Sequence, residues 1–539
     1  MKAMSNKLLP YKTAREKLTI KQKVGQLFMP AVFINDSEEE IIKIESLIRT
    51  NTIGAICFFH SRASAATNFE GKKDVIYNEN SYERLKQLIK RYQKAADIPL
   101  LVAIDAEWGL AMRIENTNQY PYAITLGSIQ EDNELIHEVG RQIALDCIKA
   151  GIHWNLAPVV DINNNPKNPV IGYRAFGDDK NEVTAKAEAY INGMKSVGVL
   201  NAIKHFPGHG DTDTDSHLGL PVIHKSRQEL FENELYPYNK LIKKGVDAVM
   251  VGHLSVPGLD NSGNPSTTSP KIITDLLRNE LNFEGVIISD ALNMHAVSKK
   301  YSQNGALEAN AFAAGMDMMC FSENSEEGIA KILSTASEHN IECSFRRLWK
   351  LKEKIFFEVN GKADLKCKST SELNRKIASK CITELYGEPN NIKDFNKTHF
   401  LNLSIENHSK NFFSSEIESE YGKKRLTLNN LTIDEVKTKA SQHQHIVLAL
   451  FPPSVKPKNH FGFPRKLLDI IRSLIAQKNI LIYLFGNPYV LDELGLKPDS
   501  NAVVIYQDFI EFQQEAFSHF SEKIQALGKL PITLKTFEA

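Results

Sequence analysis

The chain has 539 residues, 65 Lys+Arg against 65 Asp+Glu, and 42% hydrophobic residues. It is too long for one ordinary domain and apolar enough to bury more than one core. The balanced charge excludes a strongly basic nucleic-acid or anionic-membrane binder and suits a neutral small molecule or an uncharged sugar.

The first 23 residues alternate charged and apolar positions and lack the apolar core of an export signal. No stretch is long enough to span a membrane. Six cysteines (Cys57, Cys147, Cys320, Cys343, Cys367 and Cys381) are scattered without a paired motif. They read as small buried hydrophobes in a reducing compartment. A cytoplasmic protein is expected; an exported form with its signal removed would look the same.

Eight short apolar runs follow in order: Gly25 to Pro30, Ile53 to Phe59, Leu100 to Ile104, His153 to Ala157, Leu200 to His205, Ala248 to Gly252, Val286 to Ser289 and Met316 to Phe321. Such runs suit parallel strands buried on both faces. Amphipathic helical patterns lie between them, at Glu38–Ile48, Tyr82–Ala95, Asn133–Ala150, Glu182–Ser196, Gln228–Lys244, Ile272–Asn282 and Ala306–Ala314. The alternation predicts a (β/α)8 TIM-type barrel over residues 1–358, closed by a helix from Arg346 to Val359. A doubly wound open sheet is the alternative architecture. Residues 359–370, polar and lysine-rich, read as a linker. Residues 371–539 read as a smaller α/β sandwich, with strands near 399–403, 446–451, 480–485 and 503–506.

In such a barrel the loops after the strands form the reactive face. Polar groups recur there. Asp105, Glu107, Trp108 and Arg113 follow the third strand, and Arg174 follows the fourth. Lys204 and His205 end the fifth, His253 the sixth, and Ser289-Asp290 the seventh. Their shared position points to one pocket. Asp290, after four strand residues, reads as a nucleophile, a general base or a metal ligand, or else as a helix N-cap.

The densest segment runs from Lys204 to His217, with three histidines and three aspartates in fourteen residues. Pro207, Gly208 and Gly210 make it a loop, read as flexible towards its far end. Asp215 and His217 lie two apart, so in an extended loop the carboxylate can accept the imidazole N–H. That would fix the tautomer and favour imidazolium, as a general acid/base near neutrality requires. A solvated Asp-Ser-His is the plain alternative. His205 and His209 have a metal-like spacing, but Pro207-Gly208 forbids the helix it needs. Asp211, Asp213 and Asp215 alternate like a calcium loop without its glycine and distal glutamate. No metal is expected.

Together these residues resemble glycoside hydrolase family 3, and within it the β-N-acetylglucosaminidases. The carrying motifs are Lys204-His-Phe-Pro-Gly-His-Gly210, Asp215-Ser-His217 with Pro221, Asn168 to Gly177, and Ser289 to Met294. The resemblance covers most of residues 20–358, and residues 371–539 look like that family's αβα domain. It implies Asp290 as nucleophile and His217 as acid/base with Asp215 as its partner. It also implies Asp105, Arg174, Lys204 and His205 as holders of sugar hydroxyls; Arg113, His253 and Met294 are placed with them in the substrate pocket. Trp108 stands where the family has glycine, which alters the neighbouring pocket.

The implied activity is a retaining exo-β-N-acetylglucosaminidase acting on cell-wall fragments or chitooligosaccharides, with no cofactor. Alternatives are a β-glucosidase or β-xylosidase of the same family, a GlcNAc phosphorylase, or a silent sugar-binding barrel. The expected partner is a small GlcNAc-containing carbohydrate, with neither nucleic acid nor membrane, bound by a monomer or weak homodimer.

Overall fold

A computed structural model describes residues 7–61, 77–213, 219–358, 366–385, 395–406, 411–430, 433–496 and 500–535. They fall into two compact units. The first holds Met1–Tyr120, Ile136–Ile162 and Val183–Cys367; the second holds Pro121–Leu135, Asn163–Glu182 and Lys368–Ala539. The second unit therefore includes two segments, 121–135 and 163–182, that sequence patterning groups with the barrel.

The first unit is a ring of parallel strands: β1 (Phe28–Met29), β2 (Ala31–Phe33), β3 (Ala55–Phe59), β4 (Leu101–Ile104), β5 (Trp154–Asn155), β6 (Ala202–Phe206), β7 (Ala248–Val251), β8 (Val286–Ser289) and β9 (Met319–Cys320). Pairing runs β2-β3-β4-β5 and β6-β7-β8. Bridges between Trp154 and Leu200 and between Ile288 and Met318 join these sheets to each other and to β9. Phe28 pairs with Met319, which closes the barrel. Pro30 separates β1 from β2 because it has no N–H to give a ladder. Every residue of these strands is buried, as expected for a barrel whose interior is packed with side chains.

The first strand begins later than its apolar run suggests. Gly25 and Gln26 end a helix, Ile20–Gln26, started by a Thr19/Gln22 capping box. A Cβ at Gly25 would lie 1.8 Å from the Asn51 carbonyl oxygen, so that turn can pass only as glycine. The strand resumes after Pro30 and continues to Phe33. The expected helix over Gln228–Lys244 is two helices, Arg227–Glu232 and Tyr236–Ile242. Non-helical Asn233 separates them, and Pro237 sits in the first turn of the second, where its missing N–H costs little.

The second unit has six strands: β10 (Thr383–Leu385), β11 (Phe400–Ile405), β12 (Leu426–Thr427), β13 (His445–Leu450), β14 (Asn479–Leu484) and β15 (Asn501–Val504). Their order is β10-β15-β14-β13-β11-β12. All pairs are parallel except β10 with β15. β13 and β14 are buried at every residue after the first, the mark of central strands covered on both faces. The helix Thr370–Cys381 stops just before β10. The helix Phe412–Tyr421 escaped sequence reading because its serines and glutamates carry a weak apolar stripe. The fold is thus a TIM-like barrel with an α/β sandwich.

Candidate active site

Four elements of the first unit carry the chemistry. β8 delivers Asp290, whose N–H donates to the Val251 carbonyl at 2.9 Å. The strand end is fixed on its other side by the Cys320 N–H, which donates to Ser289 Oγ at 2.9 Å. Asp290 Oδ1 accepts the Ala291 N–H at 2.8 Å. Burial pushes this carboxyl up, but His205, His253, the Ala291 N–H and Lys204 together pull it further down, to about 2. Asp290 is therefore held as an anion at the strand end while staying partly open to solvent.

β4 and β6 build an ionic cluster. Lys204 Nζ lies 2.7 Å from both Asp105 Oδ1 and Glu107 Oε1, and its side chain is only 2% exposed. Arg113 Nη2 donates to Asp105 Oδ2 at 3.1 Å, and its guanidinium lies over the Phe59 ring at 5.1 Å. Two cations thus meet two carboxylates. Burial raises the Asp105 carboxyl, but Lys204 and Arg113 outweigh it and hold it below the usual range. Buried Asn155 ties the Asp105 loop down, donating to the Ala106 carbonyl at 3.1 Å and accepting the Ala106 N–H at 3.0 Å. The sequence placed Glu107 close to this site without a role; its partnership with Lys204 needs the fold.

A third group centres on Asp161, which sequence reasoning missed. Its fully buried carboxylate accepts from His205 Nδ1 at 2.7 Å, from the His205 N–H, and from the His209 N–H at 2.7 Å. His209 Nδ1 lies 2.8 Å from Thr212 Oγ1, and that hydroxyl is 3.1 Å from the His209 carbonyl. Burial, then His205, lower the His209 imidazole to about 4, so it is neutral at pH 7. Asp161 sits at the end of an apolar run, Leu156–Val160, the same signal that marked Asp290. The asparagines that follow, Asn163 to Asn165, set it in a polar stretch that hides this signal.

The Pro207–Asp213 segment is held rather than loose. His209 and Thr212 are buried, Asp211 pairs with Lys225 at 2.9 Å, and a Cβ on Gly210 would stand 1.7 Å from the Ile162 carbonyl oxygen. The described part of the loop is closely packed, and the flexibility expected towards its far end falls on residues outside those described. Asp215 and His217 lie outside the described residues.

His253 and Met294 stay next to Asp290 through the Ala291 carbonyl, and Arg174 falls in the second unit. His253 is fully buried, with Nδ1 2.5 Å from Thr267 Oγ1 and Nε2 2.9 Å from the Ala291 carbonyl. Both ring nitrogens thus face protein, where a pocket-lining imidazole was expected. Met294 is also buried, at the turn where its N–H donates to the Ala291 carbonyl. Arg174 belongs to the second unit, in a turn built by Asn168, whose side-chain oxygen accepts the Val170 and Ile171 N–H groups. No group of three metal-ligating side chains occurs among the described residues. All six cysteines are free, and Cys367 is exposed, unlike the buried hydrophobe expected there.

A TIM-like barrel with enclosed carboxylates and cations at its strand ends has the make-up of a glycoside hydrolase. The comparisons specify the family. The model described as "Glycosyl hydrolase family 3 N terminal domain" matches residues 19–351, and the chain belongs to glycosyl hydrolase family 3. It is similar to a β-hexosaminidase of Psychromonas ingrahamii, 38% identical over 269 residues, covering 48% of this chain and 77% of that one. A β-hexosaminidase of Photobacterium profundum is 33% identical, covering 57% and 84%. β-Hexosaminidase A of Pseudoalteromonas piscicida is 33% identical, covering 51% of this chain but only 47% of its own length. Among solved structures, a family 3 β-N-acetylglucosaminidase from Paenibacillus sp. str. FPU-7 superposes with a TM-score of 0.76 at 26% identity, covering 96% of this chain and 99% of that one.

Proposed function

We propose that the protein is a retaining exo-β-N-acetylglucosaminidase that removes terminal β-linked GlcNAc from cell-wall fragments or chitooligosaccharides. The observation that carries this reading is the state of Asp290: a half-buried carboxylate held ionised at the end of a barrel strand. A nucleophile must be charged yet shielded to attack an anomeric carbon. The β-hexosaminidase relatives and the Paenibacillus β-N-acetylglucosaminidase support the choice of sugar.

In this reading Asp290 attacks the anomeric carbon, the bond to the leaving oxygen breaks, and a glycosyl-enzyme forms. His217, supported by Asp215, gives its proton to the leaving oxygen and then takes one from the water that releases the sugar. Lys204 and Arg113 are cations with several N–H groups each. These donors, Asp105 and His205 would grip sugar hydroxyls through charge-assisted hydrogen bonds.

The experiment is trapping. A fluorinated N-acetylglucosaminyl fluoride, which forms the glycosyl-enzyme faster than it hydrolyses, should add one sugar mass, and peptide mapping should find it on Asp290. Label on another residue would remove the nucleophile assignment. Faster turnover of an aryl β-glucoside than of an aryl β-GlcNAc would remove the specificity.

A further inference from the structure

One carboxylate in the barrel touches both the rigid strand end and the loop, and it has no role in the scheme above. We propose that Asp161 is a positioning residue for the reaction, acting through His205 and through the backbone of the loop at His209. This rests on the functional reading above, in which His205 holds sugar and Asp290 and His217 do the chemistry.

The contacts are unusually complete. The Asp161 side chain has no solvent exposure, and Oδ2 is 2.7 Å from His205 Nδ1. The His205 N–H stands 3.2 Å from both oxygens, and the His209 N–H is 2.7 Å from Oδ1. Burial raises the carboxyl, but His205 and His209 outweigh that and keep it ionised. An ionised carboxylate can only accept, so His205 Nδ1 must carry a hydrogen. The opposite nitrogen, Nε2, is then an acceptor in the neutral ring and a donor in the cation. Asp161 thereby fixes the tautomer of His205.

A purely structural clamp would not need this group. An asparagine offers one acceptor oxygen and would present an N–H₂ to the ring, which reverses the tautomer. Burying a carboxylate is costly unless its partners are donors, and here every one is. The same anion also fixes the His209 backbone, which precedes Asp215 and His217 in the chain. The strand end at His205 and the loop backbone at His209 therefore take their register from one buried charge.

The test uses the full-length enzyme and Asp161→Asn. Nitrogen NMR of histidine-labelled wild type should show His205 protonated at Nδ1, and the variant should show it protonated at Nε2. kcat/KM on an aryl β-GlcNAc should fall about 100-fold, within the range seen when an orienting partner of a functional histidine is lost. In a His205→Ala background the same substitution should cost less than about threefold, because its main target is gone. Overturning results are a wild-type His205 protonated only at Nε2, an Asp161→Asn enzyme within about threefold of wild type, or full additivity in the double variant. If the variant does not fold, the wild-type spectrum decides alone. Wild type that leaves every aryl glycoside intact would sink the functional reading instead, and the tautomer measurement would still stand by itself.

Discussion

Lys204 lies 2.7 Å from Asp105 across the barrel, and the same ammonium is 2.7 Å from Glu107. One nearly unexposed cation thus neutralises two carboxylates from one loop, and its removal should act on stability and activity together. Lys204→Met should destabilise the protein by about 3 kcal/mol, the scale for stranding a buried charge. Adding Glu107→Gln should restore part of that stability without restoring turnover. Urea unfolding beside kinetics on an aryl β-GlcNAc reads both; equal rescue of the two would make Lys204 only a structural ion.

Asp290 should be indispensable at every assay pH. Its carboxyl is held near 2, so it stays charged above about pH 3 and cannot supply the acid limb of a pH–rate profile. Asp290→Asn should lower kcat by about 10⁴-fold or more across the profile, as expected when the nucleophile is removed. Turnover that recovers towards one end of the pH range would place the chemistry elsewhere.

His217→Ala should cost roughly 100- to 10,000-fold on a natural-type leaving group, the range of general acid catalysis. A nitrophenyl leaving group, which departs with little protonation, should suffer much less. An equal loss on both substrates would make His217 a binding residue.

Stability should fall in mild acid. Folded His209 titrates at about 4, against an ordinary 6.5. Below pH 6.5 the unfolded chain takes up a proton that the folded ring refuses, so stability is lost as pH falls from 6.5 to about 4. The slope from this group is at most about 1.4 kcal/mol per pH unit. Carboxylates held low, such as Asp290, act only in a lower window, between their ordinary value and about 2. Melting curves at steps from pH 7.5 to 4.5 measure the first window; an unchanged midpoint would show that His209 is not buried neutral.

Gly210→Ala should be severe and Gly219→Ala mild. The first adds a Cβ 1.7 Å from the Ile162 oxygen, while the second meets nothing within 4 Å. Thermal melts of the two variants compare them directly, and a Gly210→Ala protein as stable as wild type would mean the Pro207–Asp213 segment is not clamped.

The sequence by itself determined the elements. Eight apolar runs became the barrel strands within a few residues, because burial on both faces leaves a continuous local pattern. It also put Asp105, Lys204, His205 and Asp290 at strand ends, since strand polarity decides which end opens to the site. Only the tertiary structure decided partners. Lys204 meets Asp105 and Glu107 across 99 and 97 residues, and Asp161 meets His205 across 44. His253 turns both ring nitrogens into protein, and Arg174 is carried by the second unit. Barrel closure brings distant strand ends side by side, and which side chains then touch is a long-range outcome that no local pattern encodes.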